Sequence, residues 1–185
     1  MSTGILRVPV GPDDHYAGPA DARVVLVEYG DYECPHCARA HAALQVVLPD
    51  LGDDVRFIFR NFPLTEVHPH AQPAAEAAES VAAHGGNDAF WEMHDLLFEN
   101  QDALDPDDLL EYASAAGVDQ TVVADDLSKG VMTARVRADF KGGVRSGVNG
   151  TPTFFVNGHR FDGNWADAAA FATALRAAPR GSLST

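Results

Sequence analysis

The sequence predicts an α/β fold in which one sheet, formed from both ends of the chain, is interrupted by an all-helical insertion. Val24-Val25-Leu26-Val27 is a continuous apolar and largely β-branched run, the mark of a strand buried on both faces of a sheet. Val55-Arg56-Phe57-Ile58-Phe59-Arg60 is a second strand, separated from the first by helical spacing, so strand, helix and strand follow within about forty residues as a βαβ unit. Thr153-Phe154-Phe155-Val156 is strand-like again, but only after a long helical stretch.

Taken in order, residues 1–22 are polar and broken by Gly11-Pro12 and Gly18-Pro19, which predicts an irregular arm. After the first strand, Ala40, Leu44, Val47 and Leu48 recur at helical spacing, and Pro49 with Gly52 ends the pattern. The helical block then runs through an Ala-rich segment to Ala83, Phe90 to Phe98, Leu109 to Ala116, Val122 to Leu127 and Val131 to Val144. Asn157-Gly158 is a two-residue hairpin signal that returns the chain through His159 to Phe161. Asn164 is the expected cap of a last helix, Ala166 to Ala177. The predicted organisation is a sheet domain at 1–66 and 148–185 with an inserted helical domain at 67–147.

Composition narrows the function. The net charge is −14, and no run of Lys or Arg is long enough to track a phosphate backbone, which argues against nucleic acid as a partner. No stretch approaches the apolar length of a membrane span, so membrane insertion is not expected. Met1 to Arg7 lacks a basic start followed by an apolar stretch, which points to the cytoplasm; a mature exported form without its leader reads the same way. The only two cysteines are three residues apart, so no disulfide framework exists elsewhere and sulfur acts at one place.

That place is Cys34-Pro35-His36-Cys37, at a strand-to-helix junction. Pro35 is favoured at the first helical position, which sets the Cys34 sulfur at the helix N-cap, facing unpaired N–H groups and the positive end of the dipole. Both favour a thiolate, so Cys34 is the expected nucleophile. Cys37, three residues on and on the same helix face, is the expected resolving thiol. His36 can add positive charge or a hydrogen bond to the thiolate. The competing reading is half of a zinc site completed from His36, His41, His68 and His70, but no second cysteine pair supports it.

Glu28-Tyr29-Gly30-Asp31-Tyr32-Glu33-Cys34-Pro35-His36-Cys37 resembles the active-site strand and helix start of the DsbA family, down to the Pro-His dipeptide. Gly150-Thr151-Pro152-Thr153-Phe154-Phe155 resembles that family's second signature, a cis proline facing the cysteines. The resemblance implies a thioredoxin-like fold with an all-helical insertion and a reversible Cys34–Cys37 disulfide exchanged with protein or small-molecule thiols. It implies that Thr151 and Pro152, beside Pro35, form the substrate surface, the Thr151 backbone pairing with an extended peptide. It also makes Glu28 a buried acid that accepts the proton Cys37 loses on attack. No metal, nucleotide or flavin cofactor is implied. Electrons would pass to a separate redox partner such as glutathione or a thioredoxin system. Asp31 and Glu33 flank Cys34 with negative charge, which predicts a less acidic thiolate than in the family's strongly oxidising members. His68 and His70, beside Pro69 at the start of the insertion, are expected to act in helix capping rather than at the site. The alternatives are a peptide-binding or chaperone-like module on this fold, and glutathione-linked transferase or isomerase chemistry.

Overall fold

The apolar runs on either side of the cysteines become the middle of a sheet. In the computed structural model, which describes residues 4–181, the strands are β1 (His15–Ala17), β2 (Val24–Gly30), β3 (Val55–Asn61), β4 (Thr153–Val156) and β5 (His159–Phe161). Their spatial order is β1-β3-β2-β4-β5, with β2 and β3 parallel and the other pairs antiparallel. The first predicted strand is therefore central, and Val24, Leu26, Val27 and Tyr29 are fully buried. The helices are α1 (Pro35–Leu51), α2 (Ala71–Glu99), α3 (Pro106–Ala115), α4 (Gln120–Lys129), α5 (Thr133–Arg145) and α6 (Ala168–Ala177). The fold is thioredoxin-like with helices between β3 and β4.

Strand alternation sorts the core. Leu26, Phe57, Phe59 and Phe154 share a cluster with Cys34, Cys37 and Leu44 of α1, Phe90 and Leu97 of α2, and Phe171 of α6. Val27, Tyr29, Ile58 and Phe155 face the other way, against Phe62 and Phe140 of α5. Gly143 on α5 allows that approach: a Cβ there would lie 2.7 Å from the Phe62 ring. Because α2 buries Phe90, Met93 and Leu97 in the same cluster as the sheet and the cysteines, the helical block forms one wall of the site's core.

Several expectations are corrected. The arm at 1–22 is not wholly irregular: β1 pairs with β3, Ile5 bridges to His159, and residues 1–3 lie outside the described residues. A three-residue edge strand carries too little periodicity to be read from sequence. Helix α1 continues through Pro49 to Leu51 and stops at Gly52, whose φ is +52°. The Ala-rich segment and the Phe90–Phe98 stretch, by contrast, stay distinct as expected: α2 is two helical stretches that meet at a kink at Gly86, where φ is +83°. The last helix is capped by Asp167, which accepts from Ala170 N–H at 3.0 Å, while Asn164 instead accepts from Ala166 N–H in the preceding turn. Asn157 and Gly158 do form the hairpin, with φ of +49° and +82°.

Candidate active site

Cys34 is the N-cap of α1, with extended φ and ψ, and Pro35 opens the helix. The sulfur thus faces the free N–H groups of the first turn. Its pKa falls from 9.0 to about 5. The largest contribution is a hydrogen bond from the Cys37 thiol, followed, against the opposing effect of burial, by Thr151 and then the backbone N–H groups of Cys37 and His36. The imidazole of His36 is exposed, as is Pro35, so what His36 brings to the sulfur is its backbone.

Cys37 is fully buried and both cysteines are free thiols. Burial pushes the Cys37 thiol well above its ordinary range, helped by the hydrogen bond it gives to Cys34 and by the nearby Glu28 carboxyl. The Asp31 N–H donates to Cys37 Sγ at 3.4 Å. Glu28 shares a strand face with Val24 and Leu26 and is only 2% exposed. Its Oε1 has no hydrogen-bond partner, and burial, then the Cys34 charge, raise its pKa to about 8. Cys34 is therefore ionised at neutral pH while the Cys37 thiol and the Glu28 carboxyl beside it hold their protons.

The loop before β4 closes the other side. The Thr151–Pro152 peptide is cis, and the Thr151 carbonyl oxygen lies 3.6 Å from Cys34 Sγ. The Thr151 hydroxyl is buried and has no hydrogen-bond partner, and the Thr151 side chain helps hold the Cys34 pKa down. A cavity of about 190 Å³ adjoins Pro152, lined by Arg160, Asp162 and Trp165.

Two acids and two histidines frame Cys34. Asp31 is 1% exposed and accepts from Glu33 N–H and Leu64 N–H, both at 2.8 Å, and from His68 Nδ1, also at 2.8 Å. Glu33 binds the backbone N–H of His70 at 2.6 Å and its Nδ1 at 2.9 Å, and His70 Nε2 reaches Asp105 at 3.3 Å. The expected capping role is corrected: His70 precedes α2 in helical φ and ψ and makes no side-chain cap bond, and both histidines instead pair with the acids flanking Cys34. With those charges answered, the acids do not keep Cys34 from a low pKa. Sequence reasoning also missed Gln101, whose amide donates to the carbonyls of Tyr32 at 2.7 Å and Cys34 at 3.0 Å, and His94, which meets the Tyr32 hydroxyl at 3.1 Å. A polar residue in a loop and a histidine on an apolar helix give no local signal of such contacts.

A family model described as thioredoxin matches residues 11–175. This chain belongs to the thioredoxin family. Among solved structures it is similar to oxidised BdbD from Bacillus subtilis, at 27% identity and a TM-score of 0.80 over 94% of this chain and 95% of that one. It is also similar to a thioredoxin-like oxidoreductase from Silicibacter pomeroyi, at 27% identity and a TM-score of 0.72 over 91% and 95% of the two chains. The thiol-disulfide exchange protein α-DsbA2 from Wolbachia pipientis shares the fold, at 18% identity and a TM-score of 0.75 over 89% and 87%. The resemblance to DsbA-type members of the thioredoxin family thus extends from the motifs to the whole fold. A curated relative, Na(+)/H(+) antiporter NhaA 1 from Salinispora arenicola, is 48% identical over 168 residues, 89% of this chain and 25% of that protein. The chain spans about a quarter of the length of the curated relatives it matches.

Proposed function

We propose that the chain is a DsbA-like protein disulfide oxidoreductase that exchanges a Cys34–Cys37 disulfide with thiols of extended polypeptides. The supporting observation is the split between two thiols that share a hydrogen bond: Cys34 is brought down to about 5 while Cys37 is pushed up. In the oxidising direction a substrate thiolate attacks Cys34, the Cys34–Cys37 bond breaks, and Cys37 leaves and takes a proton, with Glu28 as the nearby acid. A second substrate thiolate then attacks the substrate sulfur of the mixed disulfide and releases Cys34 as a thiolate. The substrate loses two electrons and gains a disulfide, and the protein holds the dithiol. A low Cys34 pKa makes it the better leaving group in that last step.

Substrate binds in this reading by pairing its backbone with Thr151 beside Pro152, over the exposed Pro35 and His36. A separate redox partner, glutathione or a thioredoxin system, restores the disulfide or drains electrons from it. The curated relatives are named for sodium–proton exchange; among the described residues of this chain no helix is long and apolar enough to cross a membrane, and the activity proposed is thiol exchange alone.

The test uses oxidised protein and a reduced, two-cysteine peptide. Wild type is expected to form the peptide disulfide, Cys34→Ser to form none, and Cys37→Ser, mixed with a peptide disulfide, to accumulate a covalent adduct visible by mass spectrometry. Peptide oxidation that persists in Cys34→Ser would overturn the proposal.

A further inference from the structure

Asp31 bonds to both cysteines and to His68. Its carbonyl oxygen accepts the Cys34 N–H at 3.1 Å, its own N–H points at Cys37 Sγ, and its carboxylate holds His68. The carboxylate is fully buried, whereas the His68 side chain is 19% exposed and reaches bulk protons. A buried carboxylate on the residue whose backbone holds both cysteines opposes a second negative charge there unless it is itself neutralised.

The groups facing His68 are acidic on the active-site side: Asp31 and Glu33 from the loop after β2 and Cys34 at the start of α1, with Glu28 behind them on β2. His70 is the other base nearby, and it is engaged with Glu33 and Asp105. We propose that His68 is a positioning residue that, protonated on Asp31, cancels the acid's charge beside Cys34 and so couples thiolate formation and disulfide reduction to its own proton. This rests on the oxidoreductase reading and adds a proton-linked control to it. In support, Asp31 and, more weakly, the Cys34 and Glu33 charges raise the His68 pKa against the effect of its partial burial, and the attraction between His68 and the thiolate is mutual.

Two glutathione thiols reduce the disulfide, giving up two electrons and two protons as they join in glutathione disulfide; Cys34 is left a thiolate, one proton goes to Cys37 and the other to solvent or, in part, to His68. The new anion at Cys34 draws a further fraction of a proton onto His68, which oxidation releases. The pair therefore becomes more reducing as pH rises through the His68 titration, beyond what Cys37 alone dictates.

The experiment follows the His68 imidazole by NMR, assigned with His68→Gln, in the disulfide and dithiol forms of the intact protein. The expected result is a titration midpoint at least about half a pH unit lower in the disulfide form. In His68→Gln, whose amide still reaches Asp31, iodoacetamide should label Cys34 about threefold more slowly at acidic pH, equivalent to that half unit. Equal midpoints in the two redox states overturn the proposal even if the variant fails to fold, and so does an unchanged alkylation profile in a folded variant. If wild-type Cys34 instead alkylates only near its ordinary pKa and does not exchange with glutathione, the oxidoreductase reading itself fails.

Discussion

Glu28 and Cys34 compete for one negative charge: burial and then the thiolate raise the carboxyl to about 8, while Cys34 ionises at about 5. At neutral pH the sulfur carries the charge and the carboxyl keeps its proton, near enough to the buried Cys37 for its charge to raise that thiol too. That division suits a group that hands a proton to Cys37 as it leaves and takes it back as it attacks.

Glu28→Gln should therefore slow resolution of a mixed disulfide by about tenfold or more, a modest acid–base contribution, while the first attack on Cys34 is spared. Rapid-quench kinetics separates the two steps. An unchanged resolution rate would remove Glu28 from the chemistry.

The same substitution should reveal a stability cost. The folded pKa of Glu28, about 8, exceeds the unfolded value of 4.5, so between them the folded chain holds more protons and stability falls as pH rises. Glu28→Gln is expected to be more stable than wild type by about 2 kcal/mol at pH 8, after allowing for a buried amide without a full set of partners, and to lose that advantage near pH 4.5. Urea unfolding at the two pH values measures the difference.

Cys34 should react with iodoacetamide at a rate half-maximal near pH 5, and Thr151→Val, which removes a hydroxyl that helps lower the sulfur's pKa, should move the midpoint upward. A valine is close to threonine in shape, so a shift with unchanged unfolding midpoint isolates the hydroxyl. A midpoint that stays put assigns the low pKa to Cys37 and the helix backbone alone.

Gly143→Ala should destabilise the chain by about 1–3 kcal/mol, because its Cβ would meet the Phe62 ring at 2.7 Å and Tyr29 Cδ1 at 3.0 Å, both fixed in the sheet's second core. Thermal unfolding reads the effect. A neutral outcome would mean that α5 does not press on β2 and β3 as closely as described.

What the sequence made legible is local. Cys34, Cys37, the N-cap placement and the Asn157-Gly158 turn are each set by a few adjacent residues, and the two longest strands by their apolar runs. His68 and Asp31 are 37 residues apart, and Gln101 reaches the Cys34 carbonyl across 67; such pairs exist only once β2, β3 and α2 are assembled. Asn164 was the wrong cap because Asp167, with equal capping chemistry, lies three residues nearer the helix body. His68 and His70 carried a polar signal at a helix start, but no local pattern distinguishes a capping imidazole from one aimed back at another loop.

The most direct test of the central claim is the equilibrium of the Cys34–Cys37 pair with glutathione buffers, read by trapping free thiols. With Cys34 ionised at about 5 we expect a potential well above about −270 mV, toward the about −120 mV of strong disulfide donors, because stabilising the thiolate stabilises the reduced form. A value at or below about −270 mV would contradict the oxidant direction, and no exchange at all would contradict the enzyme.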